Sequence, residues 1–111
     1  MSRVEVEVMG HRVVLRPWTY GQKQEALRKA TKWVRDPRNP SRMVPEIDPW
    51  TLNDEMIVAT VVEWDLKDEE GRPLPITVEA LHSIRPPRLV EAILSEVQRV
   101  NDLTEEERKK S

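Results

Sequence analysis

From Val4 to Val8 the chain alternates apolar and charged residues as VEVEV, breaks at Met9-Gly10-His11, and resumes with Val13 and Leu15. A period of two is that of a half-buried strand, so the spacing predicts a two-stranded hairpin over 3–16 with one apolar face. Glu5, Glu7 and Arg12 keep the other face wet, and Pro17 cannot extend the ladder. A lone hairpin is only marginally stable in water, so this one must lie on something.

The period then changes to that of a helix. Thr19 followed by Gln22 three residues later is a capping-box pair, in which each side chain satisfies an orphan backbone N–H. The predicted helix runs over about 20–35. Tyr20, Ala26, Leu27, Ala30, Trp33 and Val34 fall within an arc of roughly 140°, and Glu25, Arg28, Lys29, Lys32 and Arg35 lie opposite. Pro37 ends it. Prolines at 37, 40, 45 and 49 then exclude a helix or a central strand over the next dozen residues. So long a loop in a small domain is either a partner-binding segment or a strap anchored on the core by Met43, Val44 and Ile47.

Asp48-Pro49 is a helix entry, an acidic cap followed by proline at the first helical position. The segment WTLNDEMIVATVVEW that follows is apolar on nearly every side, which predicts a buried helix over about 49–64. Its β-branched run Ile57–Val62 would suit a buried strand, but strict alternation is missing and the cap favours helix. Thr77 caps a short helix over about 78–84, and Pro86-Pro87 separates it from a last one over about 87–102. There Leu89, Val90, Ile93, Leu94, Val97 and Val100 form a core-facing stripe. The predicted fold is α+β: an N-terminal β-hairpin packed on a small bundle of about four helices. It makes one globular domain over 1–103, followed by a charged, mobile tail over 104–111.

Composition narrows the function. With 38% hydrophobic and 34% charged residues the 111-residue chain has a polar bias but enough aliphatic side chains for one core. It has no cysteine, which excludes disulfides, thiolate metal sites and a cysteine nucleophile, and suits a reducing compartment. The N-terminal apolar runs are too short for a secretory signal or a spanning helix, so the expected location is the cytosol. Net charge is −2, yet residues 1–42 hold ten Lys/Arg against four Asp/Glu and residues 43–111 hold eight against sixteen. The favoured reading is that the two halves face each other or water.

The acidic stretch EWDLKDEEGRPLPIT, Glu63–Thr77, invites a chemical reading. As a calcium loop with Gly71 at the sixth position it puts Leu66 first and Thr77 twelfth, so both end ligands are missing. As a catalytic acid pair it lacks the dry surroundings that raise a carboxyl pKa, because Asp68, Glu69 and Glu70 sit beside Lys67 and Arg72. A solvated turn around Gly71 explains it. His11 has no ligand partner at suitable spacing, and His82 has only Glu79 one helical turn before it. No glycine-rich phosphate loop or nucleophile elbow is present. The reading is of a protein that is not an enzyme and needs no cofactor or metal.

The order of features resembles a family. A charged hairpin ending in LRPWTYGQKQEALR, a helix ending in tryptophan, then EWDLKDEEGRPLPITVEALHSIRPPRLVEAILSEV and a charged tail are similar to the tail assembly chaperones of long-tailed, siphovirus-type phages and prophages. The likeness covers most of the chain and is strongest from Trp64 to Val97. It implies a factor that binds the tape-measure protein, keeps it soluble and helps recruit subunits of the major tail protein. It would act in the cytoplasm of the bacterial host and be absent from the mature virion. It also implies a longer, frameshifted form, for which the codons of Lys109-Lys110 are a place to look, although a solvated basic tail is the favoured reading.

Such a role needs apolar ground ringed by charge. The candidate contacts are the proline-rich segment with Met43, Val44 and Ile47, and the basic helix face with Arg28, Lys32 and Arg35. Trp50, like Trp18, flanks a helix and is read as a core anchor first and a contact second. The alternative is a small nucleic-acid-binding regulator using that basic face, which Arg38 and Arg42 extend. Glu25, within reach of Arg28 and Lys29, and the acidic balance of the whole chain weigh against it. No membrane is implied, and self-association is open.

Overall fold

The computed structural model describes residues 3–110, with side chains from 3 to 102. In chain order the elements are β1 (Val4–Val8), β2 (His11–Leu15), α1 (Tyr20–Ala30), β3 (Thr31–Asp36) and β4 (Asn39–Ile47). They continue with α2 (Pro49–Thr60), β5 (Val61–Trp64), α3 (Val78–Ser83) and α4 (Pro87–Lys110). The fold is mixed α+β, with the N-terminal hairpin and four helices. Among the described residues, no helix is long and apolar enough to cross a membrane. The tail read over 104–111 lies outside the described side chains.

β1 and β2 form the hairpin, with Val4 opposite Leu15 and Val8 opposite His11. Met9, at φ 50°, and Gly10, at φ 83°, make its two-residue turn, the left-handed pair that matches strand twist. A third strand joins it: β5 pairs antiparallel with β2, setting Trp64 against Val13 and Val61 against Leu15. The segment read as the last turn of the second helix is therefore a strand. α2 stops at Thr60, where the carbonyl accepts from the Arg16 N–H at 2.9 Å, and the β-branched pair Val61-Val62 continues extended along β2. Pairing with a segment nearly fifty residues earlier outweighs the local helical signal.

α4 lies on this sheet and against α2. Leu89, Ile93, Val97 and Val100 form its buried seam, packed with Val13 and Leu15 of the hairpin, Ile57 of α2 and Leu81 of α3. A polar cluster lies beside Val100, the last residue of that seam. Asn101 accepts from the Trp18 N–H at 3.1 Å and donates to the buried Thr60 hydroxyl at 3.2 Å, which satisfies both buried groups.

α1 begins as its sequence dictates, with the Thr19 and Gln22 capping box in place. It ends five residues earlier than its apolar stripe suggests. The Thr31 hydroxyl donates to the Leu27 carbonyl at 2.6 Å, its N–H reaches Arg28, and the chain turns into β3. Tyr20, placed on the core face by the helical pattern, is 70% exposed. α2 packs beside α1 and is half-buried along most of its length, with only Ile57 and Thr60 fully enclosed, so it is not buried on all sides. The Cα radius of gyration is 16.4 Å, against about 13 Å for a compact chain of this length. An arm between α1 and α2 contributes to that excess.

Candidate interaction arm

The segment 31–47, read in part as helix and in part as loop, is a second hairpin. β3 and β4 pair antiparallel, with Thr31 opposite Ile47, Trp33 opposite Pro45, Val34 opposite Val44 and Arg35 opposite Met43. Its root is fastened where the two helices meet. The Asp48 N–H donates to the Ala30 carbonyl at 2.8 Å, and the Asp48 carboxylate caps α2 through the Trp50 N–H and the Thr51 hydroxyl. Lys32 stands 3.5 Å from the same carboxylate. The Thr51 hydrogen bond, more than Lys32, holds the Asp48 carboxyl below the usual range. From that root the hairpin runs outward, and among the described residues none of its side chains joins the core cluster.

Alternation gives the arm two unlike faces. On one, Trp33 is 64% exposed, Met43 51% and Ile47 44%, with Pro45 among them. On the other, Lys32 stands opposite Glu46, and Val34 packs opposite Val44, both half-buried. Arg35 donates to the Pro40 carbonyl at 3.1 Å across the strands, and Arg38 and Arg42 are exposed near the tip.

The residues singled out from sequence are thereby divided. Met43 and Ile47 come together on the apolar face, while Val44 points the opposite way. The basic helix stripe does not exist as a stripe. Arg28 is in the last turn of α1, paired with Glu25 at 3.0 Å, and Lys32 and Arg35 lie on opposite faces of β3. Trp50, the second residue of α2, is 78% exposed and does not anchor the core, whereas Trp18 is half-buried. Trp33, which helical spacing places on a core face, is the largest side chain of the arm's apolar face. The signal for it is present in TKWVRDPRNPSRMVPEI, two alternating runs around a turn centred on Pro37-Arg38.

The acidic stretch and both histidines line a separate open groove of about 620 Å³, with Leu66, Leu74 and Ile84 at its apolar side. Asp68 organises the turn: its carboxylate accepts from the N–H groups of Glu70 and Arg72, both at 2.9 Å, and Gly71 sits at φ 81°. His11 bonds Asp65 at 3.0 Å, and His82 bonds Asp54 of α2 at 2.6 Å rather than Glu79. The Arg12 N–H first, and His11 second, hold the Asp65 carboxyl below its ordinary value, so it serves as an ionised acceptor. Among the described residues, no three His, Cys, Asp or Glu side chains gather as a metal site.

The charge asymmetry resolves into pairs between the two halves: Arg12 with Glu63 at 3.1 Å, Lys29 with Glu55 at 3.5 Å, and Lys32 with Asp48. Compared with known protein families, characterised proteins and solved structures, the chain matches none.

Proposed function

We propose that the protein is a tail assembly chaperone of the long-tailed phage type, acting by protein–protein contacts rather than catalysis. It holds the tape-measure protein soluble in the bacterial cytoplasm, brings in major tail protein subunits, and leaves before the virion is complete. The observation that carries this reading is the arm: an apolar face of Trp33, Pro45, Met43 and Ile47, kept off the core and flanked by Arg35 and Arg42. A client rich in amphipathic helix meets such a surface through its apolar side, with charge at the rim. The sequence order from Trp64 to Val97, similar to that of the family, supports it independently.

Co-expression with a tape-measure fragment tests it. The native chain keeps the fragment soluble and co-purifies with it, and W33A/M43A loses both effects while retaining its circular dichroism. A native chain that neither solubilises nor binds tape-measure fragments overturns the reading. Arg38 and Arg42 at the exposed tip give a nucleic-acid reading its one foothold. Duplex binding that falls steeply with salt, abolished in R38A/R42A, would put that reading first. Mass spectrometry of purified particles checks whether the protein leaves.

A further inference from the structure

We propose that the free edge of β3 is a dimerisation edge, pairing antiparallel with β3 of a second copy about Val34 so that two arms form one four-stranded sheet. This is independent of the client and of the family reading.

The two edges of the arm are chemically different. β4 carries Pro40 and Pro45, which remove two backbone donors, and proline in a sheet sits where its missing N–H faces away from the ladder. That edge is blunted as proteins blunt edges they must keep unpaired. β3, TKWVRD, has no proline, pairs among the described residues with β4 alone, and offers a β-branched and aromatic strand.

Charge selects the second copy and the register. With Val34 opposite Val34 of the second copy, Lys32 stands opposite the second copy's Asp36 and Trp33 opposite its Arg35, each pairing occurring twice by symmetry. Opposite charges and a cation over an aromatic face both favour this arrangement. Shifting by one residue sets Lys32 opposite the second copy's Arg35, a like-charge pair, and turns the apolar face of one arm beside the polar face of the other. Centring on Trp33 leaves Lys32 opposite Val34 and Asp36 beyond the end of β3. Of these registers, the Val34-centred one alone both keeps Trp33, Pro45, Met43 and Ile47 of the two copies on one face and sets opposite charges against each other.

The groups concerned keep capacity for it. Asp36 accepts from the Arg38 N–H through one oxygen only, Arg35 uses one of its five donors on Pro40, and Lys32 is 67% exposed beside Asp48. The overlap spans residues 32–36 and stops short of Thr31. Each tip therefore ends beside the root of the other arm, without entering the other core.

Sedimentation of the full chain, with cross-linking of engineered cysteines, tests the pairing. The native protein sediments as a dimer, and K32E weakens the dimer by roughly tenfold through two lost pairs. The double swap K32E/D36K restores it, which a merely structural role of either residue would not do. Because the chain has no cysteine of its own, V34C reports one position. Mild oxidation gives a disulfide-linked dimer, while S41C on β4 stays monomeric. A native protein that is monomeric at about 100 μM overturns the proposal, being weaker than any useful pairing on this scale. So does a double swap that dimerises no better than K32E, or S41C cross-linking as well as V34C.

Discussion

Two hairpins in one small chain have opposite fates. β1–β2 receives β5 on one side and α4 across its face, so Val8, Val13 and Leu15 are buried. Among the described residues β3–β4 receives no third strand, and Trp33, Met43 and Ile47 stay exposed. Both are antiparallel, and both present an apolar face. The difference lies in what the neighbouring chain supplies. Val61–Trp64 lies close enough after α2 to add a strand to β2, whereas β4 is lined with prolines that refuse one. The first hairpin thus belongs to the folding core. The second is carried by it.

The strongest way to break this contrast is to truncate the hairpin that is built in. Leu15 is fully enclosed in the cluster joining β2, β5 and α4. Leu15→Ala removes its contacts and leaves a cavity, so it should cost about 3 kcal/mol in urea unfolding. A cost under about 1 kcal/mol would place the core elsewhere and make the two hairpins equivalent.

Next in size is the polar tie that joins α4 to the end of α2 and to the segment leaving the first hairpin. Asn101→Ala leaves the Trp18 N–H and the buried Thr60 hydroxyl without their partner. An orphaned buried polar group costs about 1–3 kcal/mol, and the double variant N101A/T60V should recover part of that loss. Equal stability of the single and double variants would show that water already serves those groups.

How much of this contrast was readable is uneven, for physical reasons. The first hairpin, the Thr19 box, the Asp48-Pro49 entry, the Thr77 cap and the α4 stripe are local devices, each satisfied within a few residues. They could be read because local chemistry and final structure agree. β5 and β3 could not, because each follows its helix directly, with no glycine or proline at the junction, and is decided by a partner elsewhere in the chain. Trp33 and Val34 fit a helical stripe with Leu27 and Ala30 and an alternating strand equally well. Only pairing with Met43–Ile47 separates the two. The candidate contacts fared accordingly. Met43 and Ile47, read either as contacts or as strap anchors, share one face of the arm while Val44 lies on the other, and the basic stripe is absent because its helix ends at Ala30.

Acid distinguishes the hairpins more gently, since each is tied at one point by a carboxylate. Asp65 accepts from the Arg12 N–H at 3.0 Å at the start of β2, and Asp48 caps α2 at the root of the arm. Both have carboxyl pKa values lowered by folding, Asp65 first by Arg12 and Asp48 first by Thr51. A lowered folded value means stability that is present above the unfolded value and lost as pH falls through the folded one. Stability contributed by these groups should therefore be level above about pH 5 and decline below about pH 4. D65N and D48N should each be less stable than the native chain at pH 7 and converge with it in acid. A gap that persists unchanged to pH 2.5 would mean that the amide disturbs something other than charge.

The smallest effect on stability is the sharpest test of the comparison. Trp33 is the largest apolar side chain of the arm and 64% exposed, so folding hides little of it. Alanine there removes one cross-strand contact with Pro45, and such a contact contributes about 0.2–1 kcal/mol. W33A should therefore shift the urea midpoint by far less than Leu15→Ala, although a far larger side chain is lost. Its dimer and client contacts, which depend on the exposed ring, should fall together with the substitution. A loss of about 3 kcal/mol, equal to that of Leu15→Ala, would mean that the arm folds back onto the core. The two hairpins would then differ in sequence but not in role.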